Sequence, residues 1–161
     1  MGRISRQQLF MGIARLAAMR ATCFRLNVGA VIVEDNNPLA VGYNGQPPGA
    51  PHCTGNDCVG RVPGRCNTLH AEANAIRKAE ERLADPLRVP GSVDLYCTHS
   101  PCRQCAGLIS ESPLNISRIF FEVAYRDTSH LSMFKQTREV YVVTAAGYVV
   151  DYFTNRVVEL P

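Results

Sequence analysis

The sequence predicts an α/β fold: an α-β-α three-layer sandwich in which helices flank a mixed five-stranded sheet. Three observations carry this expectation. Helix-patterned and strand-patterned segments alternate along the chain, an initial helix being followed by the order ββαβαβαβ. The 161 residues suit one domain, expected over 1–161, and suffice to bury a core without disulfide staples. The composition, 46% apolar and 19% charged, is that of a globular chain and excludes general disorder.

Each element has a local reason. Ser5 to Thr22 reads as a helix because Ser5 and Gln8 form a capping-box pattern. Leu9, Phe10, Ile13, Leu16 and Ala17 then fall on one apolar face. Val28 to Val33 and Leu39 to Tyr43 are short β-rich runs joined by Asp35-Asn36-Asn37-Pro38, so a hairpin is expected. Asn44 to Asn67 is a long loop rich in Gly, Pro and Cys, a length that implies function or a metal tie. Thr68 to about Leu83 reads as a helix with Ala71, Ala75 and Ala79 at close-packing spacing; Pro86, Pro90 and Gly91 then interrupt the chain.

Ser92 to Thr98 is a strand, and Pro101 opens a helix that runs to about Glu111 and ends at Ser112-Pro113. Arg118 to Val123 is the next strand. Leu131 to about Arg138 looks helical; Val140 to Val143 has strand propensity and could also extend that helix. Ala146-Gly147 suggests a helix end, and Tyr148 to Phe153 a last strand.

Charge and hydropathy narrow the function classes. Seventeen basic and fourteen acidic residues leave +3 with no basic run, so no nucleic-acid partner is expected. No apolar stretch reaches the ~20 residues that span a bilayer, so no membrane partner is expected either. The polar start Met1 to Phe10 lacks a signal-peptide core, which makes a cytoplasmic location the expectation.

The cysteines are the main chemical signal. They are Cys23, Cys53, Cys58, Cys66, Cys97, Cys102 and Cys105, an odd number that cannot pair completely within one chain. Cys97 sits in an apolar strand run and reads as core. Cys102 and Cys105 form C-x2-C, and with His70 they supply two thiolates and an imidazole, three zinc ligands that leave the fourth position open for water. A redox C-x-x-C is the rival reading. Glu72 lies two residues past His70, at another azimuth of the same helix, where a carboxylate can move protons without ligating the metal. Cys23, Cys53, Cys58 and Cys66 are four thiols that suit a second, closed structural zinc; His52 could replace one of them, and some could be free thiols.

His70-Ala71-Glu72 with Pro101-Cys102-x-x-Cys105 matches the H-x-E…P-C-x-x-C signature of zinc nucleobase deaminases. The resemblance continues in VGAVIV at 28–33, GYNG at 42–45, HAEANAI at 70–76 and YCTHSPCRQCAGLI at 96–109. These runs resemble the deoxycytidylate (dCMP) deaminases of the cytidine deaminase-like superfamily, and the segment from Thr22-Cys23 through GYNG to Cys58 is similar to the ComE-type subgroup. The match covers roughly residues 5 to 127, while 128–161 diverge.

The resemblance implies hydrolytic deamination of dCMP to dUMP and ammonia, feeding thymidylate synthesis. In that chemistry a zinc-activated water attacks C4 while Glu72 shuttles protons to N3 and to the leaving amine. It implies that Asn44 meets the sugar hydroxyl, that the Ala71 N–H meets the pyrimidine O2 and that Tyr125 lies near the base or sugar. A turn role for Asn44 and core packing for Tyr125 remain open. Arg25, Asn27 and Arg126 are phosphate candidates by position.

The resemblance also supports the second zinc, with ligands matching Cys23 and Cys53. It implies a homohexamer activated by dCTP with Mg2+ and inhibited by dTTP, through an effector site that includes Gly42 and Gly45. A Gly-rich turn is needed at the hairpin exit in any case. The competing readings are a deaminase of another cytosine or guanine compound or of a base in tRNA, a deaminase of a modified nucleotide such as 5-methyl-dCMP, and a non-catalytic zinc module of the competence type.

Overall fold

The structure is a computed structural model that describes residues 2–55, 66–84 and 91–160. Cys58, Pro86 and Pro90 lie outside the described residues.

Helix α1 (Arg6–Ala18) begins with the expected capping box: the Gln8 N–H donates to Ser5 Oγ at 3.1 Å and the Ser5 N–H to Gln8 Oε1 at 2.8 Å. Its buried face is the expected one only in part: Phe10 and Ala17 are buried and Ile13 packs against the core, but the face is turned towards the alanines. Gln7, Phe10, Met11, Ala14, Ala17 and Ala18 face the sheet, whereas Leu9 and Leu16 are 47% and 67% exposed. The cause is tertiary. A Cβ on Gly29 would run into the Ala14 carbonyl and lie 2.5 Å from the Ala18 nitrogen, so the helix backbone rests directly on that glycine. Only the alanine side of the helix fits such an approach.

Strands β1 (Gly29–Glu34) and β2 (Asn37–Tyr43) form the expected hairpin. Its turn is Asp35-Asn36, both at positive φ (47° and 63°), the type I′ geometry that matches strand twist. Helix α2 (Ala71–Leu83) comes after the loop, then β3 (Ser92–His99), α3 (Arg103–Glu111) and β4 (Asn115–Val123).

The tail corrects the sequence reading. The helix expected at Leu131 to Arg138 is a short 3₁₀ segment, Ser129–Phe134. Val140 to Val143 belongs to a strand, β5 (Glu139–Val143). Ala146-Gly147 is not a helix end but a strand-connecting turn, with the Gly147 N–H donating to the Thr144 carbonyl at 2.8 Å. The last expected strand shortens to β6 (Val149–Asp151), and β7 (Val157–Val158) adds one more. The described sheet is therefore seven-stranded, not five-stranded, in the order β2-β1-β3-β4-β5-β6-β7. It is mixed as expected: β3, β4 and β5 run parallel, and the other neighbouring pairs are antiparallel.

Alternation along the strands makes two cores. Ala30, Ile32, Leu95, Cys97, Ile119 and Phe121 face α2, α3 and the 3₁₀ segment. Val31, Val33, Tyr96, Phe120 and Tyr141 face Phe10, Met11 and Ala14 of α1. Helices thus cover both faces, as the α/β pattern requires. Cys97 is fully buried in the first core, and burial pushes its thiol pKa up, which fits an inert packing residue. No helix among the described residues is long and apolar enough to cross a membrane.

Candidate functional site

The cluster forms where the parallel strands β3 and β4 end, the usual place for a site on an α/β sheet. β3 delivers the chain into Ser100-Pro101-Cys102. Cys102 is the N-cap of α3, one residue before the helix, and Cys105 lies in its first turn. His70 is the N-cap of α2 and makes no capping hydrogen bond, so its ring is free to turn towards the cysteines. His70 Nδ1 lies 3.4 Å from Cys102 Sγ and 3.2 Å from Cys105 Sγ, and all three donor atoms fall within 4.8 Å of one another. Bond lengths of ~2.05 Å to nitrogen and ~2.3 Å to sulfur in a tetrahedron give N···S edges of about 3.5 Å. These donors therefore fit a zinc ion in both type and spacing.

Their ionisation points the same way. The Cys105 thiol and the His70 ring bond the Cys102 sulfur and push its pKa down to about 3. The Cys102 thiolate in turn raises the His70 pKa, against the lowering effect of burial. The hydrogen bond to Cys102 and burial push the Cys105 pKa up, so it is the proton that metal binding must displace.

Glu72 lies beside the cluster on the first turn of α2 and is 4% exposed. Burial raises its carboxyl pKa to about 7, opposed by its own backbone N–H and by His70. A carboxylate poised there can take and return protons near neutral pH.

A cavity of about 570 Å³ opens above these groups, a volume that admits a small ligand. Its wall includes four of the expected contacts, Asn44, Ala71, Tyr125 and Arg126, together with Arg25. Asn27 is exposed and does not line it. Asn44 is 6% exposed, and its amide is engaged locally: Oδ1 accepts the Val28 N–H at 2.8 Å and Nδ2 donates to the Leu26 carbonyl at 2.7 Å. It thus pins the segment before β1 to the end of β2, whatever it does for a ligand. Tyr125 is 44% exposed and lines the same cavity as Cys102 and Glu72; burial and then those two groups raise its pKa.

Thr68 and His99 also line the cavity and were not singled out from the sequence. His99 stands at the last position of β3, directly before Ser100-Pro101-Cys102, and that position is the signal that could have found it.

Gly42 and Gly45 have packing reasons for being glycine. A Cβ on Gly42 would overlap the Ala71 carbonyl and come 2.6 Å from the Ala75 nitrogen of α2. A Cβ on Gly45 would overlap Thr22 Oγ1, and Gly45 bridges to Leu69 just before His70.

Of the four cysteines assigned to a second zinc, Cys58 is outside the described residues. Cys23 and Cys66 both line the cavity. Gln46 Nε2 donates to Cys53 Sγ at 2.8 Å and to Thr68 Oγ1 at 3.4 Å, and Thr68 Oγ1 lies 3.2 Å from Cys66 Sγ. Among the described residues, His70, Cys102 and Cys105 make the one cluster of three donors close enough to share an ion.

A mixed sheet between helices, with a His-Cys-Cys cluster and a buried glutamate where its parallel strands end, defines the cytidine deaminase-like class of zinc proteins. The chain belongs to the cytidine and deoxycytidylate deaminase zinc-binding family, whose model matches residues 4–123. It is 38% identical over 128 residues to ComE operon protein 2 of Bacillus subtilis, across 78% of this chain and 64% of that one. It is 34% identical to the deoxycytidylate deaminase of Schizosaccharomyces pombe, across 81% and 41%. The chain thus spans less than two thirds of either relative. The deoxycytidylate deaminase of Mycobacterium phage D29 is 38% identical across 75% of this chain and 97% of its own length. Among solved structures, the dCMP deaminase of cyanophage S-TIM5 in complex with dCMP and dUMP is 28% identical, with a TM-score of 0.68 over 87% of this chain and 98% of that one.

Proposed function

We propose that the protein is a hydrolase that deaminates dCMP to dUMP and ammonia, supplying the precursor of thymidylate. The observation that carries this is the buried Glu72 carboxyl beside the His70-Cys102-Cys105 cluster at the base of one cavity. The family and the cyanophage relative bound to dCMP and dUMP support the choice of substrate.

A zinc ion held by His70, Cys102 and Cys105 supplies the Lewis acidity that brings a water's pKa towards neutrality. Glu72 accepts one proton of the attacking water and delivers it to ring N3; it then takes the remaining proton from the new C4 hydroxyl and gives it to the departing amino group, so that the C4 carbonyl forms as ammonia leaves. Its raised pKa suits both directions of transfer. The Ala71 N–H, at the start of α2, holds the pyrimidine O2. Tyr125 covers the base, and Asn44 meets the sugar. Arg25 and Arg126 stand at the cavity wall as donors for the 5′-phosphate.

The test is ammonia release by the zinc-loaded protein with dCMP, deoxycytidine and 5-methyl-dCMP side by side. Turnover of dCMP at least ~10-fold above deoxycytidine is expected, since losing a charge-assisted phosphate contact costs about 1.5–3 kcal/mol. Equal rates would sink the nucleotide reading. The same assay with dCTP and Mg2+, or with dTTP, reads the proposed regulation, and sedimentation reads the proposed hexamer.

The second zinc belongs to this reading, held by Cys23, Cys53, Cys58 and Cys66. Its support is the hydrogen-bonded chain that runs from Cys53 through Gln46 and Thr68 to Cys66. Two zinc ions per chain are expected, falling to one in Cys53→Ser with the Glu72-dependent activity largely kept. One zinc in the unaltered protein excludes it.

A further inference from the structure

Helix α3 and its N-cap carry two of the three candidate zinc ligands, and the divergent tail grips the helix near both ends. At its start, His130 Nε2 lies 2.8 Å from the Pro101 carbonyl oxygen, directly before Cys102. A carbonyl only accepts, so Nε2 must carry the proton and donate it. His130 is 8% exposed, and its Nδ1 is buried without a hydrogen-bond partner. Its one described hydrogen bond is therefore spent on the metal-ligand loop.

Near the other end, Arg138 Nη2 donates to the Ile109 carbonyl at 3.1 Å. In a continuing helix that carbonyl would take the N–H four residues on, but that residue is Pro113, which has none. The tail supplies the missing donor. The Arg138 guanidinium also stacks over Phe134, 5.3 Å from the ring centre. The 3₁₀ segment that bears His130 is itself fixed, because Tyr152 Oη donates to Thr128 Oγ1 at 2.8 Å and the Tyr152 ring meets Phe121 edge-on.

We propose that His130 and Arg138 are positioning residues: they clamp α3 from the tail and set the separation of Cys102 and Cys105 from His70. Both lie outside residues 4–123, the part that matches the family model. The rest of the loop is held without the tail, by the Ser100 N–H on the Val123 carbonyl and the Tyr125 N–H on Ser100 Oγ, each at 2.8 Å. His130 holds the Pro101 carbonyl, while the Cys102 carbonyl accepts the Ala106 N–H at 2.8 Å. The inference rests on His70, Cys102 and Cys105 holding zinc.

The experiment compares His130→Gln, His130→Asn, His130→Leu and Arg138→Met with the unaltered protein. Gln keeps a donor at the reach of Nε2; Asn is too short and Leu has none. Zinc release to a chromophoric chelator and the visible spectrum of the cobalt-substituted protein are read, both independent of turnover. Outer-sphere partners of metal ligands are worth about 10- to 100-fold in affinity, so His130→Leu and His130→Asn should release zinc at least ~10-fold faster with an altered cobalt spectrum. His130→Gln should stay near the unaltered protein, and Arg138→Met should fall between. If His130→Leu does not fold, the Gln and Asn pair decides alone. Unchanged release and spectra in all variants overturn the proposal, and so does equal impairment of Gln and Asn, which would mark a packing role. If the unaltered protein binds no metal at His70, Cys102 and Cys105, the reading beneath it has failed instead.

Discussion

Glu72→Gln is expected to abolish turnover while leaving zinc in place. The substitution keeps the shape of the side chain and removes its capacity to carry a proton. General acid–base groups contribute about 10²–10⁴-fold, and here one group serves two transfers, so a loss of about 10³-fold or more is expected, roughly 4 kcal/mol on the barrier. Zinc content must be measured on the same sample, because Glu72 is two residues from His70. Residual activity within 10-fold of the unaltered enzyme, with full zinc, would falsify the shuttle role.

The metal-free protein adds a second readout. Burial raises the Glu72 carboxyl from 4.5 to about 7 in the folded state. An acid whose folded pKa lies above its unfolded value binds more protons when folded. Its burden on stability is therefore absent below the unfolded value and grows as pH rises through the folded one. Metal-free Glu72→Gln should therefore melt at higher temperature than the unaltered chain at pH 8 and match it near pH 4. The opposite order at pH 8 would mean that the carboxylate has a partner that compensates its burial.

Gly42→Ala is expected to damage fold and site together. The added Cβ would meet the Ala71 carbonyl and stand 2.6 Å from the Ala75 nitrogen. Both are helix backbone, which cannot swing aside as a flexible side chain can, so α2 must shift. Overpacking of this kind costs about 1–3 kcal/mol and sometimes more. The displaced helix carries His70 as its N-cap and Glu72 in its first turn, so zinc affinity and basal turnover should fall with stability. Gly107→Ala is the control: it lies on α3, where a Cβ meets nothing within 4 Å, and should be neutral or slightly stabilising. A purely allosteric Gly42 would behave differently, with Gly42→Ala keeping its melting temperature and basal rate and losing only the response to dCTP.

Much of the site was legible in the sequence because its chemistry is written in short spacings. His70 and Glu72 are two residues apart, and Cys102 and Cys105 three, so each pair needs only one helix start to be placed. The α1 capping box and the Asp35-Asn36 turn were legible for the same reason. The buried face of α1 was legible only in part. Periodicity offers Leu9 and Leu16 as readily as Ala14 and Ala18, and it is the bare backbone of Gly29, on another element, that selects the alanines.

The sequence by itself determined the α/β class, the order of the central elements and the residues that can hold a metal and move a proton. These follow from local propensity and from the few side chains able to do such chemistry. Tertiary structure alone decided how the tail is used. The 3₁₀ segment and β5 to β7 are too short for a clear period, and their strands are set by pairing along the sheet. His130 reaches Pro101 across 29 positions, and Arg138 reaches Ile109 across another 29. A donor and a carbonyl so far apart in sequence carry no shared pattern; only the packing of the chain brings them within hydrogen-bond distance.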